Sequence, residues 1–128
     1  MHELSLMEEV RRLALAAAAA EGATRIQAIE LRVGEQAGVE QEALRFAFPV
    51  VMDGTIAANA ELRITAVPAT ARCAPCGREF ACADGLAECP HCGAISRQLL
   101  SGRELELASL ELELPDGVAQ SPRGSNRL

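Results

Sequence analysis

The sequence has no lysine, no tryptophan and no tyrosine, and only three phenylalanines. Without lysine, the positive charge rests on 12 scattered arginines against 18 acidic side chains, giving a net charge of −6. Phosphate backbones are bound by clustered basic residues, so this balance excludes nucleic acid as the main partner. The near absence of aromatics means that a core must be built from Ala, Leu, Val and Ile. Nor is there an uninterrupted apolar run of about 18 residues, the length a membrane helix needs. The stretch LALAAAAA at 13–20 is short and follows charged residues, which is not the layout of a signal peptide. A cytoplasmic, reducing location is therefore expected. There, five cysteines point to metal ligands or redox groups rather than disulfides.

At 128 residues the chain accommodates one domain, or one domain carrying a small module. SLMEEVRRLALAAAAAEG predicts a helix: Ser5 and Glu8 have capping-box spacing, and Gly22 is a stop. Leu6, Met7, Val10, Leu13, Ala14 and Ala17 form its apolar stripe, leaving residues 1–4 outside it. RIQAIELRV at 25–33 alternates but changes phase, which predicts a strand with a bulge or one covered on both faces. A second helix is expected within 39–55, kinked or shortened by Pro49. ELRIT and its neighbours at 60–67 form a second strand, and RELELASLELEL at 103–114 a third, whose phase changes between Leu107 and Leu110. The fold class is thus α+β: a small three-stranded sheet with two helices and an inserted four-cysteine zinc module. Residues 1–69 and 99–114 form one domain, 70–98 the module, and 115–128 read as a disordered tail lacking apolar periodicity.

The module carries the strongest local signal. CAPCG and CPHCG place Cys73, Cys76, Cys89 and Cys92 as two pairs, with residues 77–88 between them, a spacing of four-cysteine zinc sites. Each pair turns two sulfurs toward one ion, and Gly77 and Gly93 allow a left-handed residue after each turn. With a single Phe, the module depends on metal for its folding energy, on the order of 10–16 kcal/mol for structural Zn(II) sites. Four thiolates leave no open position, so the zinc holds shape. A dithiol redox pair fits less well, because a thioredoxin-like C-x-x-C opens a helix after a strand. Cys82 is left over as a small thiol outside the ligand set.

His2, one of two histidines, allows two readings. It is an incidental residue on a frayed terminus, or it is a chelator. In the second, the Met1 amine, the His2 amide nitrogen and the imidazole Nδ1 close rings on one ion. Ionised amide nitrogens suit square-planar Ni(II) or Cu(II) better than tetrahedral Zn(II). A bulky second residue also opposes removal of the initiator Met, and Glu3 can add its amide or carboxylate. His91 sits inside the second knuckle as an exposed residue or one that tunes the zinc site.

MHE at the start, GTIAANAELRI ahead of the two knuckles and the Glu/Leu-rich strand after them resemble the HypA family, hydrogenase-maturation nickel metallochaperones. The resemblance spans about residues 1–114. It implies that His2 carries Ni(II), that Cys73, Cys76, Cys89 and Cys92 carry structural Zn(II), and that the partners are a nickel-loading GTPase (HypB) and the hydrogenase large subunit. The alternative is a zinc-ribbon nucleic-acid binder or scaffold protein. It has only Arg72, Arg78 and Arg97 near the knuckles, offset by Glu79, Asp84 and Glu88. No nucleophile–base set, phosphate loop or paired-carboxylate site is recognisable, so no catalysis is expected.

Overall fold

The computed structural model describes residues 2–82 and 87–128, and for 119–126 the backbone alone. Met1 and Asp84, both named above, lie outside the described residues. The elements run α1 (Glu3–Ala20), β1 (Arg25–Gly34), α2 (Gln41–Met52), β2 (Glu61–Val67), β3 (Thr70–Arg72), β4 (Glu79–Ala81), β5 (Gln98–Ser101), β6 (Leu105–Leu114) and β7 (Gly117–Arg127). They form two lobes around separate sheets, one of order β2-β1-β6-β7 and one of order β4-β3-β5. No helix among the described residues is long and apolar enough to cross a membrane.

In the main lobe, β1 lies between a parallel neighbour, β2, and an antiparallel one, β6. Leu6, Met7, Val10, Ala14 and Ala18 of α1 are buried, as are Leu44, Ala47, Phe48, Val51 and Met52 of α2. They close over Ile26, Ile29, Leu31, Leu107, Leu110 and Leu112, so the core is aliphatic apart from Phe48. The phase changes read in the sequence are bulges. Pairing shifts between Ile26 and Ala28, and again where Leu31 faces Leu107 while Glu30 faces Ser109. The second shift makes Ala108 the extra residue and brings both Leu107 and Leu110 to the core.

The structure corrects two expectations. The main sheet has four strands, not three: residues 117–127, left outside the fold by their lack of periodicity, pair antiparallel with β6 from Leu114↔Gly117 onward. Pro115 and Asp116 form the turn, and Gly117 takes φ +140 just after it. The helix α1 starts at Glu3, earlier than the Ser5 capping box implied, and its cap residue is His2 with no side-chain cap bond. Glu3 makes a tertiary contact instead, the backbone amide of Glu40 donating to its carboxylate at 3.1 Å. Pro49 lies inside α2, which runs on to Met52. Pro49 is exposed, and the buried residues Phe48, Val51 and Met52 hold the last turn in place.

The second lobe has a small cluster of its own: Ala69, Ala71, Cys73, Phe80, Cys82 and Cys89, with Ala87, Ala94 and Leu99 against it. Phe80 is its one aromatic residue. The two connections to the main lobe, at 67–70 and 101–105, lie either side of the end of β1.

Candidate metal centre

Each knuckle is a tight turn built by the same two backbone bonds. In the first, the Cys73 amide donates to the Arg78 carbonyl at 2.8 Å and Gly77 donates to Cys73 at 2.7 Å. In the second, Cys89 donates to Ala94 and Gly93 to Cys89, both at 2.9 Å. Gly77 and Gly93 have φ +69 and +76, the left-handed conformation the turn requires. The sheet β4-β3-β5 sets the turns against each other, and Glu88 forms an isolated bridge with Ile95 that closes the second.

The sulfurs of Cys73, Cys76, Cys89 and Cys92 consequently lie within 4.8 Å of one another, with Cys73 and Cys92 3.5 Å apart. Tetrahedral Zn–S bonds of about 2.3 Å would put sulfurs about 3.8 Å apart, inside that range. Cys73 and Cys89 are buried, whereas Cys76 and Cys92 are exposed. The thiols perturb one another. The Cys92 amide, then the His91 amide, stabilise the Cys89 thiolate and lower its pKa to about 7 despite burial. Crowding by the sulfurs of Cys92 and Cys73, with burial, raises Cys76 to about 12. At Cys73 the Cys76 amide favours the thiolate, but burial and the Cys92 and Cys89 sulfurs outweigh it, and the pKa rises. Four negative sulfurs this close need a cation among them, and an all-thiolate tetrahedral set can hold a metal such as zinc.

At the other candidate site, His2 is exposed at the start of α1, its carbonyl accepting from the Leu6 amide at 3.0 Å. The helix therefore begins its ladder at Leu6, and the amides of Glu3, Leu4 and Ser5 have no partner within it. The Glu3 carboxylate is committed elsewhere: the Glu40 amide holds its pKa below the usual carboxylate range.

Comparison with known proteins decides the family. Residues 1–112 match the family model described as HypA, hydrogenase/urease nickel incorporation, metallochaperone. The chain belongs to the HypA family. It is similar to the hydrogenase maturation factor HypA of Picosynechococcus sp., 46% identical over 112 residues that cover 88% of this chain and 99% of that protein. Its likeness to the HypA of Chloroflexus aggregans is 47% over 112 residues, covering 87% and 98%. Among solved structures, the solution structure of the Ni metallochaperone HypA from Helicobacter pylori superposes with a TM-score of 0.62 at 23% identity, covering 88% of this chain and 97% of that one. That likeness is one of fold.

Within this HypA fold, the four sequence-predicted cysteines come together, and Cys82 stands apart from them, buried in the small cluster with its amide bound to the Ala69 carbonyl at 2.9 Å. His91 is exposed, and its ring nitrogens lie 3.1 and 3.2 Å from the Arg78 Nη1. Sequence reasoning missed Glu40 as the partner of Glu3, a contact between residues 37 apart that no local pattern encodes.

Proposed function

We propose that this chain binds Ni(II) at its N-terminus through His2 and delivers it for maturation of [NiFe]-hydrogenase, with a structural Zn(II) on Cys73, Cys76, Cys89 and Cys92. The supporting observation for nickel is the start of α1. An exposed imidazole stands beside backbone amides outside the helical ladder, and the neighbouring Glu3 carboxylate accepts from the Glu40 amide. The Met1 amine, the His2 amide nitrogen and the His2 Nδ1 supply the planar nitrogen donors that Ni(II) favours. Glu3 contributes negative charge at the positive end of the helix dipole, where a bare cation is disfavoured. Zinc at the cysteines holds the second lobe in shape; the lobes divide within 67–70 and 101–105, so that Leu99 and the rest of β5 belong with the cysteines and β7 with the main sheet. The nickel-loading GTPase (HypB) and the hydrogenase large subunit are the partners, in the cytoplasm, and the chain transfers metal without catalysing a reaction.

The neighbourhood of the cysteines does not favour a nucleic-acid-binding ribbon. Arg72 pairs with Glu79 at 2.8 Å and Arg78 lies against His91, so two of the three arginines near the knuckles are already in contact with a neighbouring side chain.

Nickel titration of untagged protein tests the proposal. Binding through an α-amine, whose ordinary pKa is about 8, and an amide nitrogen must release protons, so affinity should rise steeply with pH. His2→Ala should abolish the planar-nickel d–d absorption while fold and zinc content persist. A Gly-Ser extension, which moves the amine away, should weaken binding and change the spectrum. Equal affinity, spectrum and pH slope in the extended protein would sink the chelate.

A further inference from the structure

The two connections between the lobes would by themselves leave a hinge, since two tethers define an axis about which a lobe can turn. The turn after β1 removes that freedom. On the outgoing connection, the Glu35 amide donates to the Val67 carbonyl at 3.0 Å, and the Ala69 amide donates to the Glu35 carboxylate at 3.2 Å. On the returning one, the Gly34 amide donates to Glu104 at 2.7 Å and the Gln36 amide to Gly102 at 2.6 Å. The packing leaves no room for side chains: a Cβ on Gly34 would lie 2.1 Å from the Gly102 carbonyl oxygen, and one on Gly102 would lie 2.7 Å from the Ala69 Cα. A few residues further on, the same loop ends at Glu40, whose amide holds Glu3 at the start of α1.

We propose that residues 34–40 are a strap that fixes the orientation of the cysteine lobe and ties it to the start of α1, with Glu35 as the positioning residue at the lobe end. Glu35 is its removable element. Among the described residues it makes the strap's one side-chain bond to the outgoing connection, a charge-assisted bond from an exposed position whose loss leaves both cores intact. The strap's other bonds to the two connections are backbone bonds, beside the close approach of Gly34 to Gly102. Nothing in the device depends on nickel.

The test uses residual dipolar couplings and amide exchange on the metal-loaded full chain. In the wild type, amides of 25–34 and 105–114 should share one alignment tensor with those of 70–82 and 88–98. Glu35→Ala should split them, with a reduced tensor for the cysteine lobe, unchanged metal content and several-fold faster exchange of the Glu40 amide. Glu35→Gln retains a side-chain carbonyl that can accept from Ala69, so it should behave as wild type on both readouts. Three results would overturn the proposal: separate tensors in the wild type, a shared tensor in Glu35→Ala, or separation that leaves Glu40 exchange unchanged. Metal loss from Glu35→Ala would overturn it as well, since the lobe would then have unfolded rather than swung.

Discussion

Removing the metal should melt one lobe and spare the other. Among the described residues, the cysteine lobe's cluster has two large apolar side chains, Phe80 at 8% exposure and Leu99 partly buried. Full burial of such a residue stabilises by about 1.5–3 kcal/mol, so the pair supplies about 6 kcal/mol at most. A structural zinc supplies on the order of 10–16 kcal/mol, well above that ceiling. The main lobe stands on different terms: Met7, Val10, Ile26, Ile29, Leu31, Leu44, Met52, Leu107, Leu110 and Leu112 are fully buried there, and none depends on the cysteines. Adding a strong chelator to 15N-labelled protein should collapse the amide resonances of 70–98 toward random-coil shifts. Resonances of Ile29, Leu31, Leu107 and Leu110 should keep their dispersion. Cys73→Ala should give the same pattern without chelator, while Cys82→Ala should retain the metal. Either of two outcomes would falsify the reasoning: a lobe that stays dispersed without metal, or both lobes melting in a single transition.

Gly34→Ala should destabilise the main lobe by about 2–5 kcal/mol, from overpacking and the weakening of two backbone bonds, read as a lower urea midpoint with unchanged slope. An unchanged midpoint would show that the backbones separate freely. Zinc loading near pH 7 should release more than two protons per ion, because Cys73 and Cys76 are held protonated and Cys89 titrates at about 7. The sign follows: protons compete with the ion, so affinity falls as pH falls, and calorimetry in buffers of different ionisation enthalpy counts the protons. The Glu3 carboxyl should titrate below its ordinary value. Its bond to Glu40 is then fully present above the unfolded pKa and lost as pH falls through the lowered one. A carboxyl-carbon NMR titration checks this, and Glu40→Pro, which removes the donor, should raise the Glu3 pKa toward its ordinary value.

What the sequence made legible was local and periodic. The stripe of α1 needs only helical spacing, and the phase change between Leu107 and Leu110 already contained the bulge at Ala108. The cysteine spacing and the following glycines specified both knuckles, because metal ligation and left-handed turns demand those residue types. What remained hidden depended on distant partners. The sequence of β7 lacks apolar periodicity and carries Pro122, so no side-chain pattern announces its pairing with β6. The signal that could have found it is the turn sequence Pro115-Asp116-Gly117. The start of α1 was misplaced because Ser5 and Glu8 have capping spacing, while the contact that forms is from Glu3 to the Glu40 amide. Burial on both sides of Pro49 likewise overrides a local helix breaker.

The alternation of buried and exposed thiols imposes an order on events at the metal. In each knuckle the first cysteine, Cys73 or Cys89, faces inward, and the second, Cys76 or Cys92, faces solvent. An incoming chelator, oxidant or alkylating reagent meets the outer pair first, and the inner pair becomes reachable only after an outer sulfur has released the ion. Loss of a bound ion would then begin at the outer pair, Cys76 and Cys92, with the buried Cys73 and Cys89 the last sulfurs to be reached. Mass spectrometry of briefly alkylated protein should find label on Cys76 and Cys92 before Cys73 or Cys89, and simultaneous labelling of all four would contradict that order.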